Sequence, residues 1–200
     1  MIEKIAPGTE LKMNIIKAIY ENPGINVTSL IKKVRASPNS IINYLNELEF
    51  FGVIEKVTTG KKLAVRNIRF NLNSELCILI LSLLEMDKKE NLIRKYPKLK
   101  ILFEQISNVV KNGFVLVYGS YVRFAAEKDS DIDIIIVGDR LNKERIKEVL
   151  ITYPESSLKI ETIKTFLSNL SKPLYKNILK DHIVVYNETA FLKTIKIFFE

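Results

Sequence analysis

The sequence predicts an α+β protein, on three observations. Residues 114–137 hold two short, β-branched apolar runs either side of a Gly-Ser turn and an Asp-Ile-Asp triplet. Residues 9–70 hold three helical periodicities and then two strand-length runs. Between these stretches, residues 74–86 are apolar on most sides at helical spacing.

From the amino terminus, Thr9 caps a helix with Leu11, Ile15, Ala18 and Ile19 on one face, stopped by Asn22-Pro23-Gly24. A second helix is expected from near Thr28, burying Leu30, Ile31 and Val34. Ser37-Pro38 places a cap and then proline at the first helical position, opening a third helix that buries Ile41, Tyr44, Leu45 and Leu48. Strands over 53–58 and 63–70 follow, joined by Thr59-Gly60-Lys61-Lys62. Three short helices and a basic hairpin make a winged helix-turn-helix.

Residues 10–71 resemble winged-helix DNA-binding domains. That resemblance implies that the third helix enters the major groove, where Asn39, Ser40 and Asn43 would meet bases. Lys61, Lys62 and Arg66 of the hairpin, with Lys32, Lys33, Arg35 and Arg69, would meet phosphates. Glu47 and Glu49 lie on the same helix, and Arg35 occupies an inter-helix turn position that is often glycine. Protein contact is therefore the competing use of this fold.

Residues 74–86 should be buried all round, against a symmetry mate as readily as against the chain's own core, and a homodimer formed partly through this helix is expected. Further helices are expected over 92–96 and 99–110. Three regions result: a winged helix-turn-helix over 1–72, a helical linker and dimerisation segment over 73–97, and a second domain over 98–200.

In that second domain, alternation along a strand points Asp131 and Asp133 the same way while Ile132, Ile134 and Ile136 enter a core. Neighbouring carboxylates repel unless a cation neutralises them, and hard oxygen donors suit Mg²⁺ carrying phosphate oxygens. Gly119-Ser120 complements them, because glycine lets backbone approach a phosphate closely. The simpler reading of either piece alone is solvated charge and an ordinary turn; their combination describes a metal-nucleotide site. A helix over 142–152, a strand over 158–163, a helix over 166–180 interrupted at Pro173, a strand ending at Tyr186 and a helix over 188–198 complete the chain. His182 is read as a surface turn residue, with general base the alternative.

Gly119-Ser120, ten residues, then Asp131-Ile132-Asp133 and an apolar run resemble the signature of the DNA polymerase beta nucleotidyltransferase superfamily, specifically its minimal members. The resemblance implies a mixed sheet with flanking helices, two Mg²⁺ ions, and transfer of a nucleoside monophosphate from a triphosphate, ATP being the expected donor. It implies a third carboxylate from a neighbouring strand, for which Glu161 is the candidate and Glu155 the weaker competitor. Arg123 would contact the triphosphate. Relatives continue Gly-Glu-Ala after that arginine, where this chain has Phe124-Ala125-Ala126. Minimal members include antitoxins that adenylylate a partner toxin, so a protein hydroxyl is one expected acceptor. A regulator that senses nucleotide without turnover is the alternative.

Composition narrows the field further. A net charge of +8 favours a polyanionic partner, although a lysine- and isoleucine-rich source would leave the same excess. The single cysteine, Cys77, excludes an internal disulfide and reads as a packed thiol, and no His/Cys cluster exists for zinc. Without a signal core or a bilayer-length apolar run, the chain is expected to be cytoplasmic and not membrane-bound.

Overall fold

The computed structural model describes residues 6–59 and 65–196. They fall into two compact units, one holding the chain up to Leu84 together with Ile195 onward, the other Glu85–Thr194.

The first unit starts with α1 (Glu10–Glu21), whose Lys12 amide donates to the Thr9 hydroxyl, 3.3 Å. It buries Ile15, Ile16, Ala18, Ile19 and Tyr20. Helix α2 (Val27–Val34) starts slightly earlier than Thr28 because Asn26 caps it, accepting from the Ser29 amide at 2.8 Å. Leu30 is its buried residue. Helix α3 (Pro38–Phe50) opens on proline as expected and buries Ile41, Tyr44, Leu45 and Leu48. Strands β1 (Ile54–Thr59) and β2 (Val65–Phe70) pair antiparallel from Ile54 with Phe70 to Thr59 with Val65. The hairpin turn, with Gly60, Lys61 and Lys62, lies outside the described residues.

Helix α4 (Glu75–Lys95) is continuous, so the two separate helical stretches expected over 74–96 merge. Lys88 reaches back to Glu85 at 2.7 Å across the middle of that span. All-round burial is not found. Cys77, Ile78, Ile80, Leu81 and Leu84 are buried, but Leu79, Leu83 and Met86 stay exposed at 49%, 41% and 47%, one stripe at helical spacing. Burial pushes the Cys77 thiol up to about 12, which keeps it unreactive at neutral pH. No described helix is long and apolar enough to cross a membrane.

In the second unit, α5 (Leu99–Val109) precedes β3 (Phe114–Tyr118) and β4 (Ile132–Val137). Then come α6 (Lys143–Ile151), β5 (Ser156–Glu161), α7 (Ile163–Asn169), α8 (Pro173–Lys180), β6 (His182–Tyr186) and α9 (Glu188–Ile195). The sheet order is β5-β4-β3-β6, with β4 and β5 parallel and the other pairs antiparallel. Pro173 starts α8, so the expected interruption divides two helices. One sheet face buries Val115, Val117, Ile132, Ile134 and Ile136 in a core with Leu102, Phe103 and Ile106 of α5 and Ile146 of α6. On the other face, Phe114 meets Phe166 and Phe191 edge-on, both at 5.4 Å between centroids.

His182 is not a surface residue: it is 3% exposed. Strand β6 is one of the two edges of the sheet, and Glu85, fully buried, accepts from its Val184 amide at 3.1 Å. The same carboxylate takes Lys88 Nζ at 2.7 Å and stands 3.5 Å from His182 Nε2. A side chain from α4 thereby satisfies backbone that the sheet leaves unpaired.

Candidate functional site

Strand alternation and pairing build the centre of the site. Tyr118, the last residue of β3, pairs with Asp133 of β4, so the bend leaving β3 passes beside that carboxylate. The bend is Gly119, at φ +81°. A Cβ there would stand 2.2 Å from Asp133 Oδ2, so only glycine lets the bend and the carboxylate come this close. Asp133 is the one residue of β4 that is not fully buried.

The bend does not open a long helix. Residues 119–125 form a single turn, in which the Ala125 amide donates to Ser120 O and the Phe124 amide to Tyr121 O, both at 3.0 Å. This bond pair around a left-handed residue is a Schellman closure, and Phe124 is that residue at φ +56°. The departure from the glycine of relatives therefore changes the residue while the backbone keeps the conformation glycine would favour. Lys95 holds the strained position, donating to Phe124 O at 2.6 Å with its ammonium 5.3 Å from the Phe124 ring.

Burial first, and then the Asp131 carboxylate, push the Asp133 carboxyl up from its ordinary value; Lys159, Arg123 and a Ser157 hydrogen bond pull against them. Asp131 is exposed at the entrance to β4, and Arg123 is exposed on the loop. The structure thus brings Gly119, Asp131 and Asp133 together, with Arg123 near enough for its charge to act on Asp133.

Glu161 is not brought to them. In the parallel β4-β5 pair, Asp133 stands beside Ser157, and Glu161 stands beside Val137. That is four positions along the strand, roughly 13 Å at the backbone. The carboxylate accepts from the Tyr175 hydroxyl, and Glu161 Oε2 is buried with no hydrogen-bond partner among the described residues. Among the described residues, no group of three His, Cys, Asp or Glu is placed to hold a metal ion. Glu155 comes nearer, its carbonyl accepting from the Ile132 amide at 2.8 Å, but its carboxylate stands 3.9 Å from Lys98 and belongs to no described trio placed to hold a metal ion.

Sequence reasoning missed Ser157 and Lys159, the residues on Asp133's own face of β5. Alternation along β5 puts Lys159 and Glu161 on one face, but the register against β4 leaves no mark in the sequence. Tyr118 was missed too; burial, then Asp133, then Glu161 raise its hydroxyl above the ordinary value, so its ring senses both carboxylates.

On the first unit, Asn39, Ser40 and Asn43 are exposed on α3, and Arg66 on β2. Lys32, Lys33, Arg35 and Arg69 are exposed as well, whereas Lys61 and Lys62 lie outside the described residues. The two acidic residues of α3 are engaged: Lys56 bonds Glu49 and Asn46, each at 2.7 Å, and Lys12 stands 3.9 Å from Glu47. Arg35 ends α2 at φ +56°, the left-handed conformation for which glycine is usual.

Residues 98–190 match the family described as polymerase beta, nucleotidyltransferase, and residues 9–55 match winged helix-turn-helix DNA-binding domains. The chain therefore carries a nucleotidyltransferase domain of the polymerase beta family behind a winged helix-turn-helix domain. No curated protein matches the sequence. Among solved structures, a toxin-antitoxin with AMP-PNP is 16% identical, with 56% of this chain and 85% of that one covered and a TM-score of 0.31. A putative nucleotidyltransferase from Sulfolobus solfataricus is 16% identical over 50% and 84%, with a TM-score of 0.28. A mutant of the toxin-antitoxin MntA-HpeT is 17% identical over 52% and 86%, with a TM-score of 0.33. At these scores the three carry no inference to this chain.

Proposed function

We propose that the nucleotidyltransferase domain binds a nucleoside triphosphate, ATP as the first candidate, with Mg²⁺, and transfers its nucleoside monophosphate to a hydroxyl on a partner protein. The Gly119 bend lying against the Asp133 carboxylate is the observation that carries this reading. Asp131 and Asp133 would hold the metal, since two hard carboxylates at one strand entrance fit a divalent ion that also carries phosphate oxygens. The ion supplies charge neutralisation on the phosphates as pyrophosphate departs. Gly119 and Ser120 present the turn that the phosphates approach, and Arg123 adds a cation from the same loop. The acceptor oxygen bonds to the α-phosphorus, the bond from that phosphorus to the bridging oxygen of the β-phosphate breaks, and the acceptor's proton passes to solvent.

A second reading, nucleotide sensing without transfer, is favoured by one specific observation: Ser157 and Lys159 face Asp133 from β5, where a third carboxylate would complete the site. Incubation with α-labelled ATP, Mg²⁺ and candidate acceptor proteins separates the readings. Label transfer that disappears in Asp131→Ala and Asp133→Ala supports the transferase; tight nucleotide binding with no transfer supports the sensor.

The winged helix would place α3 in the major groove of operator DNA, with Asn39, Ser40 and Asn43 toward bases and Arg66 and the basic wing toward phosphates. Fluorescence anisotropy on upstream DNA should show Asn43→Ala weakening specific binding by about 1–3 kcal/mol, with nonspecific binding retained. A homodimer would cover the exposed stripe of α4. Sedimentation of a Leu79→Glu, Leu83→Glu chain beside the wild type tests it, and a wild type already monomeric at micromolar concentration rules it out.

A further inference from the structure

The proposed metal-nucleotide site has a neighbour of the wrong charge for a second ion. Parallel pairing sets Ser157 beside Asp133, and alternation puts Lys159 on the same face two residues on, roughly 7 Å along the strand. An ammonium has three donors and no acceptor, so Lys159 cannot ligate a metal. It can oppose one electrostatically, and its charge already acts on the Asp133 carboxylate together with that of Arg123. Nor does another acid fill the gap. Glu161 stands four positions along β5 with Tyr175 on its carboxylate, and no described trio of acidic, His or Cys side chains is placed around a metal.

The protein's supply of ligands decides between one ion and two. Asp131 and Asp133 supply two negative charges, balanced by one divalent ion. A second ion near these aspartates would meet the charges of Lys159 and Arg123 and find no third protein carboxylate among the described residues to ligate it, leaving the phosphate oxygens as its only anionic donors. Mg²⁺ keeps near-octahedral oxygen coordination and is commonly held by one or two carboxylates plus phosphates, so a single ion is a complete site.

We infer that this site takes one divalent ion with its nucleotide, and that Lys159 supplies from the protein the positive charge a second ion would bring to the phosphates. The inference rests on the proposed nucleotide site and assigns its metal stoichiometry and one further phosphate-binding residue.

Mn²⁺ gives a direct count. The full chain is titrated with Mn²⁺ in the presence of an ATP analogue whose α–β bridge cannot be cleaved, and free Mn²⁺ is read by electron paramagnetic resonance. One nucleotide-dependent Mn²⁺ per chain is expected in the wild type. Lys159→Glu, which places a carboxylate on Asp133's face, should raise the count to two. Lys159→Gln should keep one ion and weaken binding of the Mn²⁺-analogue complex about tenfold, the loss of one charge-assisted phosphate contact. Two ions in the wild type overturn the inference and leave the nucleotide site standing. A single ion with unchanged affinity in Lys159→Gln removes Lys159 from the phosphates. No nucleotide-dependent Mn²⁺ overturns the site and the inference together.

Discussion

Two carboxylates in the same unit, Glu85 and Asp133, are shifted in opposite directions. Burial alone would push the Glu85 carboxyl up, but Lys88 and then His182 outweigh it and hold it down at about 2. Its oxygens meet an ammonium and a backbone amide, with an imidazole ring close by. Asp133 is only half-buried, yet burial and the Asp131 carboxylate raise it, and its neighbours include the Gly119 bend, where an added Cβ would meet its Oδ2. The more deeply buried acid is thus the more comfortable one. A carboxylate with its partners built in serves the fold, whereas one held against another carboxylate is the acid that the proposed function assigns to a cation.

The largest effect should come from breaking the satisfied member. Glu85→Ala removes the acceptor of the buried Val184 amide and the carboxylate beside Lys88 and His182, and should cost about 3–5 kcal/mol, read as a fall in the urea midpoint of the unit that contains it. If the loss is below about 1 kcal/mol, Glu85 is not the plug of the β6 edge.

Acid should erase that difference. A carboxyl whose folded value lies below its unfolded one stabilises the fold above the unfolded value, and loses that contribution as pH falls through the folded value. From an ordinary 4.5 to about 2, the Glu85 contribution is on the order of 3 kcal/mol. The gap in urea midpoint between wild type and Glu85→Ala should be constant above pH 5 and close between about pH 4.5 and 2. A gap that persists unchanged at pH 2.5 contradicts the assignment.

Gly119→Ala tests the other member by geometry. Its Cβ would meet Asp133 Oδ2 at 2.2 Å, so the carboxylate must move, while the strands on either side remain paired. Nucleotide affinity in the presence of Mg²⁺ should fall by at least about tenfold, or ~1.4 kcal/mol, in a calorimetric titration.

The smallest effect carries the sharpest contrast. Asp133→Asn removes the repulsion from Asp131 and should stabilise the apo chain by about 0.5 kcal/mol, the modest size reflecting solvent screening of a half-exposed pair. The same change should abolish metal-dependent nucleotide binding. An acid whose removal helps the fold and destroys binding is doing the opposite of Glu85, and a destabilised Asp133→Asn would end the comparison.

Much of this was legible beforehand because it is local. The cap at Thr9, the proline opening α3, the β-branched runs of β3 and β4 and the Gly-Ser to Asp-Ile-Asp spacing are written in consecutive residues, and each was found where expected. Arg35 and Phe124 show the limit of such reading. Both stand where glycine is usual, yet both adopt the left-handed backbone, at a cost of about 1–2 kcal/mol each that a non-glycine residue meets there. His182 read as a turn residue because its partner Glu85 lies 97 positions away in the chain.

Glu161 failed for a related reason. Alternation places a side chain on a face but says nothing about how far along the neighbouring strand it comes to lie, and only pairing does that. What the sequence determined by itself was the inventory: two domains, their order, and a glycine bend with two neighbouring acids. What the tertiary structure alone decided was the company those acids keep. The register of β5 against β4 set Ser157 and Lys159 opposite Asp133, and the open edge of β6 drew in Glu85, because contacts between distant segments follow from hydrogen-bonded pairing and burial and not from spacing along the chain.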